Sequence, residues 1–531
     1  MNFNKKLAVA VSGAVLLMAG QFALADSATD IVDALVSKGV LAEEEGKLIT
    51  KGHTSKTSVT PVVKEKDGAF TLESASGRNS IQLTGRMHLD GRYNNLDDFD
   101  TRIAETYDKD TASAADQFEL RRARLGVKGK LAKHFNYEVV GNFPGTATID
   151  VAYLDFAKYN EASVRIGKFK QPWGLEQLTS SNNIDFMERS YNDQLTPGKK
   201  LGAMLFGEPK AGFTYAGSAF QMNDTKQDYK SEDMSYAGRG TVNFAELMGD
   251  KESIYHVGIA GFDKSWAVRG TTSSSTSGGL DPSGTFLAFS SPGRGLSNVF
   301  RAQMGAEAAT PDKLQSGLSD ETFQANSRAL GLEAIVARGP FKIQAEYGRA
   351  AHKAKYQLAS GDTSMAIDST TWYAEALWLL TGERYSDSYK KGVFGGIKPK
   401  NDFDADGGSG WGALELGLRM EAYSAKDGNI ANYQTAGDGK GARYQGSMNC
   451  SSGDSTANDG VAQAVGVEGC KSGAKTYTAG VKWVLNPNIQ LKLNYMHTKF
   501  DNEWQHYDVA GATVPYIKKE DLVMFRTQYA F

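Results

Sequence analysis

Long hydrophobic segments are what this sequence of 531 residues most clearly lacks. After Ala19 it has no apolar run of the roughly 20 residues that a transmembrane helix needs. Proline is also scarce, at 12 residues, whereas glycine reaches 58 and aromatic residues make up 10% of the chain. Only helices and closed barrels satisfy every backbone hydrogen bond in lipid. If the mature chain crosses a membrane, it must therefore cross as a closed β-barrel.

The amino-terminal residues predict export. Two lysines precede an apolar stretch at residues 7–19, and a small-x-small pattern follows at residues 23–25. This arrangement predicts a secretory signal peptide over residues 1–25, with cleavage after Ala25. A transmembrane anchor is the alternative, but the apolar stretch is too short to span a bilayer.

Cysteine is limited to Cys450 and Cys470, which lie in a stretch rich in Gly, Ser, Asn and Asp. In an exported protein such a pair predicts a disulfide that closes a single loop. No histidine or further cysteine lies near the pair, so the sequence predicts no metal site. No cofactor and no nucleic-acid partner are expected either.

Alternation of polar and apolar residues dominates the rest of the chain. In "IQLTGRMHLDGRY" (residues 81–93), Ile81 and Tyr93 share an apolar face, while Arg86 and Asp90 share a face of ionisable residues. A strand face with so many ionisable groups must be wet. The terminal "LVMFRTQYAF" alternates in the same way, with Phe531 on the apolar face. About sixteen such segments predict an all-β fold, an antiparallel transmembrane β-barrel over residues 77–531.

The links between these segments alternate in length. Short links occupy every second position, which places both termini on the side of the short turns, as in outer-membrane barrels. Residues 384–410 are an exception, because they fall on the short-turn side and yet are long. They either pack under the barrel or indicate an error of register. An even number near sixteen leaves an aqueous channel inside.

Residues 26–53 do not alternate. Their apolar residues have helical spacing: Ile31, Val32, Leu35, Val36 and, in a second short helix, Leu48. With Gly39 as a C-cap, this pattern predicts a periplasmic helical hairpin that associates with its copies in an oligomer. The alternative is a flexible leader with transient helix. Residues 54–76 are expected to be a linker to the barrel.

Basic residues outnumber acidic residues on the predicted inward face. The inward basic residues are Arg86, Arg92, Arg122, Arg124, Lys128, Lys130, Arg165, Lys168, Lys170, Arg239, Arg419, Lys482, Lys492 and Arg526. The inward acidic residues are Asp90, Glu138, Asp155, Glu333, Glu346 and Glu415. Because the whole chain has a formal charge of −3, positive charge is concentrated in the channel. Such linings favour anions. For a single residue the alternative is a wall salt bridge, such as Arg419 with Glu415.

Several stretches resemble the phosphate-selective porin O and P family. They are "RRARLGVKGKL", "RIGKFKQPWGLEQLTSSNNIDFMERS", "LLTGERY", "GWGALELGLRMEAYS", "VKWVLNPN" and the terminal strand, in this order over nearly all of residues 78–531. The resemblance implies a sixteen-stranded, usually trimeric outer-membrane channel. It also implies that the third loop, residues 171–198 here, folds inward to form a constriction. A terminal Phe on an amphipathic strand resembles the outer-membrane assembly signal of Gram-negative bacteria.

The resemblance and the inward-face pattern together give the candidate anion-binding residues. They are Arg86, Arg121, Arg122, Arg124, Lys168, Lys170 and Arg189. The family pattern supplies the double arginine, one of the two lysines and Arg189. Guanidinium groups bind phosphate oxygens as a fork, whereas lysine acts as a point charge. The expected function is passive diffusion of anions, phosphate-type oxyanions first. The expected partners are outer-membrane lipid, a homotrimer and the outer-membrane assembly machinery.

The predicted fifth loop departs from the family pattern. The best-known members carry a dense arginine ladder there, whereas residues 265–325 of this chain contain only Arg269, Arg294 and Arg301 as arginines. A general or organic-anion porin is therefore the alternative to a phosphate channel.

Other classes of protein are less well supported. A barrel enzyme requires a Ser/His or Asp/His constellation, and His134, Ser163 and Asp155 lie in no recognisable motif. A structural or adhesive barrel would depend on the loops alone. The sequence therefore predicts a porin without enzymatic activity.

Overall fold

The computed structural model describes most of the chain. The described residues are 32, 35–38, 40–49, 60–66, 68–95, 117–222, 234–269, 285–296, 299–303, 322–358, 361–431, 443–450, 452–458, 461–505 and 516–531. The predicted signal peptide and the predicted C-cap Gly39 lie outside this set. No helix in the described ranges has the length and hydrophobicity that a membrane crossing requires.

Sixteen antiparallel strands form a closed barrel. In chain order they are β1 (Ser80–Asn95), β2 (Gln117–Leu131), β3 (Phe135–Asn142), β4 (Thr148–Phe156), β5 (Ser163–Lys170), β6 (Lys199–Lys210), β7 (Phe213–Gln221), β8 (Ser235–Asn243), β9 (Ser253–Arg269), β10 (Thr322–Arg338), β11 (Phe341–Leu358), β12 (Gly361–Leu379), β13 (Ala413–Ala431), β14 (Cys470–Val484), β15 (Ile489–Gln505) and β16 (Tyr516–Ala530). Each strand pairs with its neighbour in sequence, and β16 pairs with β1, so the barrel has no free edge. The predicted all-β barrel is confirmed.

The two faces of the strands follow the predicted alternation. On β1, Met87 and Tyr93 are 47% and 59% exposed on the outer wall, whereas the intervening His88 and Asp90 are 0% and 2% exposed. The apolar side therefore faces lipid and the ionisable side faces the lumen.

Short elements lie between the strands. They are the helices α1 (Leu175–Leu178), α2 (Phe244–Leu247) and α3 (Tyr385–Ser388), a 3₁₀ helix at Tyr191–Leu195, a hairpin of Tyr389–Lys390 with Val393–Phe394, a sheet of Thr285–Phe289, Phe300–Gln303 and Arg443–Gly446, and a hairpin of Ser452–Asn458 with Val461–Glu468. Cys450 and Cys470 are disulfide-bonded, which ties the segment between β13 and β14 to the start of β14.

The residues before the barrel are more ordered than a linker. Val62–Lys66 pairs with Ala69–Glu73, which continues the barrel sheet beside the start of β1. A cross-strand pair of Lys64 and Glu73 at 2.9 Å supports this hairpin, so the expectation of a linker over residues 54–76 is wrong for these residues. Farther upstream, residues 35–37 and 43–49 are helical.

The long link between β12 and β13 enters the barrel at the end that carries the termini. Its Tyr385 and Phe394 are 1% and 6% exposed and pack with Leu377 and Leu379 of β12. Arg239 of β8 donates a hydrogen bond to the carbonyl oxygen of Gly392 at 2.8 Å. The first part of this link, residues 385–394, therefore packs into the barrel mouth, whereas residues 401–409 are exposed, and the predicted register holds.

Candidate functional site: a cation-lined cavity

The segment between β5 and β6 divides the lumen. Residues 171–198, hereafter the inward loop, fold inside the barrel and include α1 and the 3₁₀ helix. Trp173, Leu175, Phe186 and Tyr191 are at most 2% exposed there. These side chains belong to three separate apolar clusters, each formed with residues outside the loop, so the loop is packed against the inside of a barrel wide enough to hold water. The inward fold expected for this loop is confirmed.

Charged residues clamp the inward loop to the far wall. The Asp185 carboxylate accepts hydrogen bonds from Lys342 of β11 at 2.7 Å and from Lys482 of β14 at 3.0 Å. Arg526 of β16 donates to the carbonyl oxygen of Met187 at 2.5 Å. Burial raises the pKa of Asp185, but the two lysine charges outweigh this effect and lower the pKa below its ordinary value. Two of the basic residues assigned to the channel lining, Lys482 and Arg526, therefore hold the loop.

Wall residues also satisfy the polar groups of the loop. The Glu346 carboxylate accepts hydrogen bonds from the amides of Leu175 and Glu176 at 2.9 and 2.7 Å, which pairs the first donors of α1. Lys492 donates to two loop carbonyls at 2.5 and 3.3 Å. Arg419 donates to the Glu176 carboxylate at 3.1 Å. These contacts give hydrogen-bond partners to backbone and carboxylate groups of the loop that lie inside the barrel.

A second insertion enters the lumen from the opposite end. Residues 285–296 and 299–303, hereafter the upper insert, bury Phe289 and Phe300 completely. Phe289 stacks on Tyr423 of β13 with ring centroids 4.3 Å apart. Gln194 of the inward loop and Ser290 exchange two hydrogen bonds, at 2.9 and 2.8 Å. The two insertions therefore contact each other inside the barrel.

An open cavity remains between the inward loop and the wall formed by β1–β8. Its volume is about 1150 Å³. Ten of the residues that line it are Lys or Arg, and five are Asp or Glu. A surplus of one sign of charge between low-dielectric walls focuses the electrostatic potential along the path.

Five of the seven residues predicted from the sequence line this cavity: Arg86, Arg122, Arg124, Lys170 and Arg189. Arg121 lies beside it and binds the Glu188 carboxylate with an N···O distance of 3.0 Å. Lys168 is the exception, because it does not lie on the cavity side of the wall.

Lys168 lies on the outer face of β5. It is opposite Leu201 of β6, which is 45% exposed, and it shares its face with Val164 and Ile166, which are 40% and 63% exposed. Directly opposed residues of antiparallel strands project to the same side. The inward assignment of Lys168 is therefore wrong. Lys170 enters the lumen because β5 ends there and its ammonium group reaches the inward loop.

Two β-bulges bring extra charged residues to the lumen. The pairing of β2 with β1 skips Arg121, and the pairing of β4 with β3 skips Asp150. The preceding residues, Leu120 and Ile149, are 44% and 52% exposed on the outer wall. Continued from these two residues, an unbroken strand would turn Arg121 and Asp150 inward and the residues after them outward. Each bulge instead turns two consecutive residues inward. Arg121 and Arg122 are therefore both available inside.

Lys170 and Arg189 have partners in the inward loop itself. Lys170 donates to the carbonyl oxygens of Gln177 and Thr179 at 2.5 and 3.1 Å. Arg189 donates to the carbonyl oxygens of Glu176 and Thr179, both at 2.9 Å. Positive charge is favourable at these carbonyls, which lie at the carboxyl end of α1. Both predicted residues thus support the loop as well as line the cavity.

Arg86 is a cavity cation whose hydrogen-bond partners are uncharged. It donates hydrogen bonds to the hydroxyls of Ser180 and Ser181 at 3.3 and 2.9 Å, and it makes no salt bridge within the described part of the chain. Its cross-strand partner on β2 is Arg124. The wall therefore presents two guanidinium groups side by side to the cavity.

Asp150 is the carboxylate nearest to this pair. It binds Arg124 at 3.0 Å and Lys199 at 2.5 Å. The sequence interpretation missed Asp150, Lys199 and Glu188. A charged residue at a position that alternation assigns to lipid, as Asp150 is, was the available signal for a bulge.

Other chemistry has little support in the described residues. They contain no group of three or more His, Cys, Asp or Glu side chains placed to hold a metal ion. Asp155 is held by Arg165 at 2.6 and 2.8 Å, and the Ser163 hydroxyl donates to the carbonyl oxygen of Tyr159 at 3.2 Å. The Asp and Ser that a barrel enzyme would use thus have other partners.

Comparison with known proteins identifies the family. The phosphate-selective porin O and P family matches residues 81–531. Porin O of Pseudomonas aeruginosa is 24% identical over 471 residues, which cover 84% of this chain and 89% of that protein. Among solved structures, the outer membrane channel DcaP of Acinetobacter baumannii has a TM-score of 0.43 at 11% identity and covers 86% of this chain and 99% of its own. OmpT, an outer membrane protein of Vibrio cholerae, has a TM-score of 0.42 at 8% identity, with coverage of 86% and 98%. Since the family match extends over the whole barrel, the chain belongs to the phosphate-selective porin O and P family and is an outer-membrane porin of a Gram-negative bacterium.

Proposed function

We propose that this porin conducts small anions through the cavity between the inward loop and β1–β8. One observation carries the proposal: Arg86 and Arg124 are directly opposed on neighbouring strands and both face the cavity. Like charges opposed in a sheet repel each other. A passing anion relieves this repulsion, and the surplus of basic residues along the lining acts in the same direction.

Phosphate-type oxyanions are the permeants that the lining favours first. Two guanidinium groups, the Lys199 ammonium group and the Ser180 and Ser181 hydroxyls all line the same cavity. A guanidinium group can donate hydrogen bonds to two oxygens of one oxyanion at once, whereas a halide ion is a single acceptor atom. The constriction therefore discriminates by the geometry of the anion as well as by its charge.

A porin for general or organic anions is the second candidate. It is favoured because several cations already have carboxylate partners inside the protein. Arg294 of the upper insert binds Glu119 at 2.7 Å, and Arg124 binds Asp150 at 3.0 Å. Cations that are already paired attract phosphate less strongly, so this candidate predicts weak discrimination between oxyanions and other anions.

Titration of phosphate against chloride current in a planar bilayer separates the two candidates. The oxyanion proposal predicts that phosphate blocks the wild-type current and that Arg86→Gln combined with Arg124→Gln weakens the block by about tenfold or more, since hydrogen bonds to charged groups contribute about 1.5–3 kcal/mol each. Lys168→Ala, on the outer face, is the matched control, and phosphate should block its current as strongly as that of the wild type. Absence of block in the wild type would leave the general porin, and unchanged block in the double variant would show that the site lies elsewhere.

We further propose the remaining features from the sequence. Residues 1–25 are removed on export, and the helical segment before the barrel lies in the periplasm. The porin assembles as a homotrimer. The outer-membrane assembly machinery recognises the terminal strand. The backbone of its Phe531 accepts a hydrogen bond from the Gly85 amide at 3.0 Å and donates one to the Gly85 carbonyl oxygen at 3.1 Å. The protein has no enzymatic activity.

A further inference from the structure

Glu188 of the inward loop lies at the centre of an arginine cluster. Its carboxylate is 3.0 Å from Arg121 Nε and 3.0 Å from Arg526 Nη2. Arg294 and Arg122 approach it to 3.8 and 4.0 Å. Guanidinium groups from β2, from β16 and from the upper insert thus surround a single carboxylate that the inward loop supplies.

This cluster is next to the permeation cavity and open to solvent. Arg122 lines the cavity and also approaches Glu188. The side chains of Arg121 and Arg294 retain 27% and 35% exposure. An anion that enters from solution therefore meets the same arginines that the Glu188 carboxylate already contacts.

We propose that Glu188 is a specificity-determining residue, a tethered anion that competes with permeant oxyanions for Arg121 and Arg122. The inference rests on the proposed anion conduction. Conduction requires binding that is favourable enough for entry and weak enough for release. By occupying the double arginine, Glu188 weakens the binding of divalent oxyanions and speeds their exchange.

The inward loop has anchors besides the contacts of the Glu188 carboxylate. Asp185 between two lysines and the Glu346 contacts to α1 hold the loop on the far wall. The amide of Met187, the preceding residue, donates to Asn494 at 2.7 Å. Burial raises the pKa of Glu188, but the charges of Arg121, Arg122 and Arg526 outweigh this effect and hold the pKa well below its ordinary value. The carboxylate is thus a permanent competitor at neutral pH.

The test uses the full-length porin in planar bilayers, with inorganic phosphate titrated against chloride current. Glu188→Gln retains the shape of the side chain and removes its charge. The half-blocking phosphate concentration should fall by about tenfold, the change expected when a charged hydrogen-bond acceptor no longer competes. Glu176→Gln is the matched control, because Glu176 is a buried carboxylate of the same loop that binds Arg419 at 3.1 Å. Its block should equal that of the wild type.

Three results would overturn the inference. One is an unchanged block in Glu188→Gln while the wild type remains anion-selective, which would leave the proposed function intact. Another is an equal change in both Gln variants, because that would indicate displacement of the loop. The third concerns Glu188→Asp, which is used if Glu188→Gln gives no channels. This variant withdraws the carboxylate by one methylene and should tighten the phosphate block by a smaller factor. A block equal to that of the wild type in Glu188→Asp would overturn the inference. A cation-selective wild type would instead overturn the proposed function.

Discussion

Arg526 on the last strand binds Asp90 on the first through two parallel hydrogen bonds, Nε to Oδ1 at 2.7 Å and Nη2 to Oδ2 at 2.6 Å. The two residues are cross-strand partners, and their side chains are 0% and 2% exposed. A buried, bidentate ion pair therefore joins the seam at which the barrel closes. Because Arg526 also contacts Met187 and Glu188, the seam and the inward loop are held by one side chain.

Replacement of Asp90 by Asn should destabilise the barrel strongly. Loss of one partner of a buried ion pair costs on the order of 3–5 kcal/mol, because the remaining charge is left undercompensated. The measurement is the free energy of unfolding in urea. Asp368→Asn is the control, since Asp368 pairs with Arg349 at the surface with 33% and 63% exposure and should cost less than about 1 kcal/mol. Equal losses in the two variants would contradict the role of the seam.

Acid should weaken the clamp at Asp185. Burial raises the pKa of Asp185, but Lys342 and Lys482 lower it below the ordinary value, so the ion pairs stabilise the fold fully above the unfolded-state pKa of about 4. This stability is lost as the pH falls through the lower folded-state pKa. Asp185→Asn should be less stable at neutral pH and should lose less stability on acidification. Urea unfolding at a series of pH values measures the difference, and parallel curves for wild type and variant would speak against the clamp.

The strands of the barrel were predictable because lipid and water impose opposite demands on alternate residues. Alternation alone did not reveal the bulge at Arg121, since one extra residue changes the facing of a side chain without changing composition, whereas the charge of Asp150 at a position that alternation assigns to lipid was a signal for the second bulge. No bulge explains the wrong inward assignment of Lys168, because strict alternation puts it on the outer face with Val164 and Ile166.

The contacts that side chains make inside the lumen were less predictable than the face of the barrel wall on which each side chain lies. Alternation correctly turned Lys482 and Arg526 inward, but it could not show that they bind the inward loop, because those contacts join residues far apart in sequence. The position of the upper insert inside the barrel was equally hard to predict. Its composition is that of an external loop, whereas Phe289 and Phe300 are fully buried. Large aromatic residues in a Ser/Gly-rich stretch were the available signal.

Removal of the Phe289 ring should increase single-channel conductance. Phe289 is completely buried against Tyr423 and contacts Tyr191 of the inward loop, and Phe→Ala in a core costs about 3–5 kcal/mol. Detachment of the upper insert would open more of the lumen to water. Phe341→Ala, on the outer wall at 57% exposure, should leave the conductance unchanged. Wild-type conductance in Phe289→Ala would show that the insert does not restrict the channel.

The proposed homotrimer should be visible on gels. Burial of part of each outer wall in an interface removes apolar surface from lipid and stabilises the assembly against mild detergent. Unheated protein should migrate as a trimer and heated protein as a monomer. Migration as a monomer after extraction in mild detergent would contradict this assignment.

The reversal potential in a potassium chloride gradient tests the proposed anion conduction most directly. Wild-type porin should show chloride permeating faster than potassium, because Arg86, Arg124 and the other basic residues outnumber the acids along the cavity. Arg86→Gln combined with Arg124→Gln should move the potential toward zero, and Lys168→Ala should not. A wild-type potential of the sign that indicates preference for potassium would contradict the account.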